Sequence, residues 1–257
     1  MVINNFYLLK NFHLYLDDLL KISEIPDVSL NGVQVGDLNQ EVKKIALAVD
    51  SNLKTIQKAT QKKADLLLVH HGLFWGKPFA FIGSHYQKIK TLIQNKMGLY
   101  AVHLPLDLHK PLGNNYQIAT QLGLEYIQPF GQYHGRTIGF LGHFKGSIKD
   151  LETKCLSLSD TCQFLIHQNL QKEELCVAVV SGKGGAGILE EFIDSCCDVL
   201  ITGETEHALV NTLFDSQKNM ITLGHYQSEK FGVMALGKHL TEEFDIETFF
   251  IEQPTGY

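Results

Sequence analysis

The stretch from Asp65 to Gly76, DLLLVHHGLFWG, constrains this chain more than any other. Leu66, Leu67, Leu68 and Val69 run without a polar interruption between Asp65 and Gly72, and an apolar run that does not alternate reads as a strand covered on both faces. Such strands belong to sheets flanked by helices, which predicts an α/β fold. His70 and His71 fall at the C-terminal end of the strand, where open α/β sheets bind their ligands. Neutral imidazole is the commonest transition-metal ligand. Consecutive strand residues point to opposite faces, so both histidines reach one site only where the strand breaks up.

Around this stretch the chain alternates strands and helices. Phe6, Leu9, Phe12, Leu16 and Leu19 mark one face of a packing helix over residues 5–21. In SLNGVQVG, Asn31-Gly32 is a turn signal, and Val33 and Val35 alternate into a short strand. KIALAVD, residues 44–50, reads as a strand followed by a helix capped by Ser51. With the histidine strand this makes a βαβ unit and a parallel pair. A helix over 84–96 leads to a strand over 99–103, which opens into the loop HLPLDLHKPLGNN containing Asp107. The middle section offers a strand over 136–144 and a helix over 148–158. From Cys176 the pattern recurs as strand 176–182, helix 187–196, strand 198–204, helix 205–214 and strand 219–225.

Laid over the first half, ADLLLVHHG matches CDVLITGET and LYAVH matches ITLGH, so His103 and His225 take equivalent places. A repeat half a chain long implies two related lobes, expected at 1–123 and 124–257, and no solenoid. A chain of 257 residues can bury a core in either lobe. Its net charge of −6 lacks the basic excess that phosphate neutralisation demands, which argues against general DNA binding. The first twenty residues lack the basic and apolar regions of a secretory signal. No apolar run approaches the ~20 residues of a membrane span. Five cysteines without CxxC spacing suggest reduced thiols and a cytoplasmic location.

The candidate chemistry lies at the strand ends. In GHYQSEKFGV, His225 and Glu229 stand four residues apart, which puts both on one face at the start of a helix. With His70, His71 and Asp107 they make three imidazoles and two carboxylates, a donor set that suits first-row divalent ions. Two carboxylates also suit a pair of ions ~3.5–4 Å apart, the separation at which two-metal hydrolases activate water. Gly182, Gly184 and Gly187 fit GxGxxG between a strand and a helix, and Glu204 ends the next strand near the place of a ribose-binding acid.

Through NGVQVG, VHHGLFW, AVHLPLDLHKPLGNN, TGETEH and GHYQSE, the chain resembles, over nearly its full length, the GTP cyclohydrolase I type-two homologue family. These dinuclear metal-centre proteins are also described as NGG-one-interacting-factor-three-like. The short bacterial members, without an inserted middle domain, are the most similar. The resemblance implies that His70, His71, Asp107, His225 and Glu229 bind two divalent ions (Zn, Fe, Mn, Ni or Mg), with Asp107 and Glu229 as bridges. Many members carry proline where this chain has Gly72, and threonine or serine where it has Leu104. The resemblance further implies two intertwined α/β repeats with mixed sheets, a ring-shaped homohexamer of dimers, and the glycine loop near the metal site, contributing N–H groups to an anionic ligand.

The function expected is a metal-dependent, GTP cyclohydrolase-like hydrolase acting on a nucleotide or cyclic amide. His103 and Glu204 are its candidates for proton transfer or substrate contact. Two other readings stand beside it: a non-catalytic metal-binding ring that serves as an interaction module, and an NAD-dependent oxidoreductase using Gly182 to Gly187.

Overall fold

Residues 7–167 and 170–256 are described by a computed structural model of the chain. The first strands and helices are β1 (Tyr7–Leu8), α1 (Leu9–Leu19), β2 (Gly32–Val35), β3 (Glu41–Val42), β4 (Lys44–Asp50), α2 (Leu53–Gln61), β5 (Leu66–His71), α3 (Gly83–Gln94), β6 (Gly98–Ala101) and α4 (Leu104–Leu108). Next come α5 (Asn114–Leu122), β7 (Glu125–Tyr133), β8 (Arg136–Lys145), α6 (Ile148–Leu158), β9 (Gln163–Leu165) and β10 (Glu174–Lys183). The chain continues with α7 (Ala186–Asp194), β11 (Val199–Glu204), α8 (His207–Asp215), β12 (Asn219–Thr222), α9 (His225–Phe244) and β13 (Glu247–Phe250).

These elements form two compact units. The first holds the described residues through Leu106 together with Val233–Gln253, and the second holds Asp107–Gly232 and the described residues from Pro254. The contiguous boundary expected at 123/124 is therefore corrected to 106/107, and residues 233–253 return to the first unit. The reason is pairing: β13 adds to β4 as a parallel edge strand, with Glu247 opposite Lys44. Gly237 of α9 also packs so closely on the Leu47 side chain that a Cβ there would overlap it.

In the first unit the strand order is β13-β4-β5-β6-β2, parallel except for β2. Alternate residues fill opposite faces. Ala46, Ala48, Leu67, Val69, Leu99 and Ala101 join one core cluster, while Ile45, Leu47, Leu66, Leu68 and Tyr100 are buried on the other face. Both faces are covered, as the unbroken apolar run requires. In the second unit the order is β7-β8-β10-β11-β12-β9, with a parallel centre β10-β11-β12 and antiparallel flanks. There Val177, Val179, Val199, Ile201 and Ile221 belong to one core, and Ala178, Val180, Leu200 and Met220 to another.

The duplication is visible in detail as well as in order. Asp65, just before β5, accepts the backbone N–H groups of Lys43 and Lys44 at 2.8 and 3.0 Å. Asp198, just before β11, accepts that of Cys176 at 2.9 Å. Each aspartate thus clamps the neighbouring parallel strand at the same end of its sheet.

Several local expectations change. The α2 cap is Asn52, whose Oδ1 accepts from Thr55 N–H, and not Ser51. Leu20, just past the end of α1, is more deeply buried than Leu19, and Phe6 lies outside the described residues. The supposed loop at Asp107 begins with the short helix α4. Strands β7 and β9 carried no clear sequence signal, being short or largely exposed. Among the described residues no helix is long and apolar enough to cross a membrane.

The clamp makes a testable statement about stability. Hydrogen bonds to a charged acceptor contribute about 1.5–3 kcal/mol. Asp65→Ala should lower the unfolding free energy by about that much, measured as a shift of the denaturant midpoint, while Asp65→Asn should recover part of it.

Candidate metal centre

At the end of the first unit's sheet, β6 stops at Ala101 while β5 continues to His71, paired there only with Asp50 of β4. Freed of one neighbour, the strand end brings the His70 and His71 rings together at a centroid distance of 4.7 Å, despite their alternating directions. His103, just past β6, lies 5.1 Å from the His70 ring and 5.7 Å from that of His71. One ring nitrogen from each of the three lies within 4.8 Å of the others, the spacing a metal ion needs.

Each ring is anchored through Nδ1. His70, fully buried, donates to the Val102 carbonyl at 2.9 Å; that oxygen can only accept, so Nδ1 carries the proton. His71 Nδ1 faces Asp50 Oδ1 at 2.9 Å, and His103 Nδ1 faces both oxygens of Asp27 at 3.1 Å. A proton fixed on Nδ1 makes Nε2 the lone-pair nitrogen, and this arrangement orients histidines that bind metals. The donor set therefore fits a divalent first-row ion.

Asp27 is itself tightly held. Burial raises its pKa, but the hydrogen bond and charge of His103, with the Asn31 side chain and Ser29 N–H, bring it down to about 2. Asn31 ties the assembly to the NGVQVG turn, donating to Asp27 at 3.0 Å and accepting His103 N–H at 2.8 Å. Trp75 places its indole 5.0 Å from the His103 ring and 5.7 Å from that of His71. Gly72, where many relatives were expected to have proline, is required here by space. A Cβ would overlap the Gln34 amide and come within 2.6 Å of the Ala101 Cβ.

The second unit gathers carboxylates instead. His225 opens α9 with Nε2 3.1 Å from Glu229 Oε2 and Nδ1 3.2 Å from Glu204 Oε1. Glu204 is thus a positioning partner of His225. Asp107 is buried and accepts from Asn114 Nδ2 at 2.8 Å and from Ser181 Oγ at 3.3 Å. Asn114 in turn accepts Gly232 N–H at 2.6 Å, and Asn115 accepts Ser181 N–H at 2.5 Å. Asp107 is therefore a buried, hydrogen-bonded carboxylate, although it lies in a stretch that reads as a polar loop.

Beside this network runs the glycine loop. Gly182 has φ +64°, and a Cβ there would overlap Glu229 Oε1. Its N–H donates to Ser228 Oγ at 2.9 Å, and that of Gly184 to the Glu204 carbonyl at 3.3 Å. Gly187 lies in the first turn of α7, with open space where its Cβ would be. Lys183 forms an ion pair with Glu206.

Of the residues singled out in the sequence, His70, His71 and His103 meet in the first unit. His225, Glu229 and Glu204 meet in the second, where Asp107 lies in its own hydrogen-bonded pocket. Sequence reasoning missed Asp27, Asp50 and Ser181, whose partners are remote in sequence, and Asn114, which meets Asp107 seven residues before it at a spacing that matches no motif. The one available signal was Asp27's position beside the Asn31-Gly32 turn.

An α/β sheet that anchors three imidazoles by their Nδ1 atoms at its strand ends defines a protein with a divalent-metal donor set. Over residues 7–256 the chain matches Duf34/NIF3 (NGG1p interacting factor 3), and it belongs to that family. A Deinococcus radiodurans protein named GTP cyclohydrolase 1 type 2 homolog is 41% identical over 245 residues, covering 94% of this chain and 92% of the relative. A Pyrococcus abyssi protein of the same name is 42% identical over 245 residues, covering 94% and 96%. Among solved structures, TTHA1606 from Thermus thermophilus is similar at a TM-score of 0.87 and 34% identity, over 98% of this chain and 100% of the other. Reduced HcgD from Methanocaldococcus jannaschii aligns at 0.87 with 26% identity, over 96% and 99%.

The electrostatics of His225 set a pH dependence. Burial lowers its pKa, but the hydrogen bonds and charges of Glu229 and then Glu204 raise it from 6.5 to about 9 in the metal-free protein. A histidine whose folded pKa exceeds its unfolded value adds stability that is complete below the unfolded pKa and lost as pH rises through the folded one. In chelator, the thermal midpoint should therefore fall between pH 6.5 and about 9. His225→Gln should flatten that part of the profile; an unchanged profile would mean that other groups govern it.

Proposed function

We propose that this chain is a divalent-metal-dependent hydrolase with a dinuclear centre, GTP cyclohydrolase-like, acting on a nucleotide or a cyclic amide. Its ligands are His70, His71, Asp107, His225 and Glu229. The observation that carries the reading is the anchoring of His70 and His71 through Nδ1, which orients each Nε2 as a donor. The names of the relatives, GTP cyclohydrolase 1 type 2 homolog, agree with it.

When bound, two such ions supply Lewis acidity and bring the pKa of water to ~7. The chain's own residues do the rest. Asp27 holds the Nδ1 proton of His103, so that His103 accepts or returns a proton at Nε2. Glu204 orients His225 from the Nδ1 side. Asn114 and Ser181 fix the orientation of the Asp107 carboxylate by donating to it. An anionic group of the substrate is assigned to the start of α7 at Gly187, where the first-turn N–H groups of a helix lack intrahelical partners. The amides of Gly182 and Gly184 are engaged within the protein, which weighs against a dinucleotide cradle at this loop.

Protein purified without a histidine tag should bind more than one equivalent of divalent metal per chain after reconstitution, measured by elemental analysis. Chelation should abolish hydrolysis of GTP, of another purine nucleotide or of a cyclic amide, and added metal should restore it. Asp107→Asn should nearly eliminate turnover, whereas His103→Ala should keep the metal and lose ~10²–10⁴-fold in rate. Both ions surviving in an Asp107→Ala, Glu229→Ala double variant would sink the ligand assignment. Metal-replete protein inert toward all these substrates would leave the interaction-module reading in place.

The assembly proposed is a homohexamer of dimers, a reading that rests on family resemblance. Light scattering of the metal-loaded protein should give a mass near six chains, and a monomer at working concentration would refute it.

A further inference from the structure

A second chemical cluster lies at the opposite end of the second unit's parallel strands from Glu204. Cys176 is in β10, and Cys196 and Cys197 lead into β11. The Cys176 thiol donates to Cys197 Sγ, with the sulfurs 3.2 Å apart. The pair is held by the strand register. Asp198 N–H donates to the Cys176 carbonyl at 2.7 Å, and Cys176 N–H donates to Asp198 Oδ2 at 2.9 Å. Cys197 N–H donates to Ser195 Oγ at 3.1 Å.

Cys197 is buried, and it borders a cavity of about 150 Å³ together with Cys196, Asp198, Ser216, Lys218 and Asn219. Lys218 donates from Nζ to the Ser195 and Cys197 carbonyls at 2.9 and 2.8 Å, which fixes a cation beside the thiol. The remaining cysteines differ. Cys155 is buried in the other core, where desolvation pushes its pKa up and makes it inert. The cysteines join no metal-sized cluster among the described residues.

We propose that Cys197 and Cys176 form a reactive dithiol that a small hydroperoxide entering this cavity oxidises to an intramolecular disulfide. The Cys197 thiolate attacks the terminal oxygen of the hydroperoxide. The S–O bond forms as the O–O bond breaks, and the other oxygen leaves with a proton as alcohol or water. The Cys176 thiol then attacks the sulfur of the resulting sulfenic acid, and the S–S bond forms as water departs. The two sulfurs together give up two electrons, and the hydroperoxide takes them. The charges agree with these roles. The hydrogen bond from Cys176 lowers Cys197 to about 7 against its burial, with help from Ser195 and Lys218. The same hydrogen bond, with burial, keeps the proton on Cys176. Cys176 is then the resolving thiol, already in contact.

The test treats the full chain with stoichiometric hydrogen peroxide and reads intact mass, then non-reduced tryptic peptides with fragmentation. The expected product is two mass units lighter, carries a Cys176–Cys197 link, and returns to the thiol form with a dithiol reductant. Cys196→Ser, at an exposed position, should leave the link unchanged. In Cys176→Ser, whose folding is checked by circular dichroism, the sulfenic acid of Cys197 should persist and be trapped by dimedone. A link through Cys196, oxidation confined to Cys196, or no mass change in Cys196→Ser would overturn the proposal.

Discussion

A strand buried on both faces tolerates polar side chains only where its ladder ends, and this protein puts its chemistry there. In β5 every side chain from Leu66 to Val69 is buried among apolar neighbours, and an imidazole one residue earlier would have to displace core atoms and find its own partner. At His70 the adjacent strand has already stopped, and the Val102 carbonyl just beyond it receives the imidazole proton. The same hydrogen bond satisfies a buried main-chain acceptor and sets the ring's tautomer. The end of the sheet and the orientation of the His70 ring thus rest on a single contact.

The duplication uses this constraint twice with different donors. The strand ends that carry His71 and His103 in the first unit carry Glu204 and His225 in the second. The scaffold repeats down to the aspartate that clamps the neighbouring strand, Asp65 in one and Asp198 in the other. Because the clamp sits at the opposite end of the strands from the donors, each unit can vary its chemistry without disturbing its register. The dithiol of the second unit occupies the clamp end, where the first unit has Lys44 in the place of Cys176 and Ala64 in the place of Cys197.

Legibility followed the range of each interaction. The βαβ order and the helix at 148–158 were readable because apolar periodicity is local, and the histidines because they interrupt it. Asp27 was not readable as a partner of His103: 76 residues separate them and no spacing rule links them. Asp107 read as a loop residue because its partners Asn114 and Ser181 come from a helix and a distant strand. The glycines from the end of β10 to the start of α7 looked like a phosphate cradle, since GxGxxG is the same string whatever its amides meet. Here two of those amides meet Ser228 and the Glu204 carbonyl.

By itself the sequence determined the α/β class, the repeated strand-helix order and the identity of the donors at the strand ends, because all three follow from hydrophobic patterning along the chain. Only the tertiary structure decided which strands are neighbours, that residues 233–253 complete the first unit through β13, and that His103 stands with His70 and His71. It also decided the protonation pattern. Which nitrogen of an imidazole carries its proton depends on the acceptor opposite Nδ1, and a carbonyl or carboxylate reaches that place only when remote segments have packed.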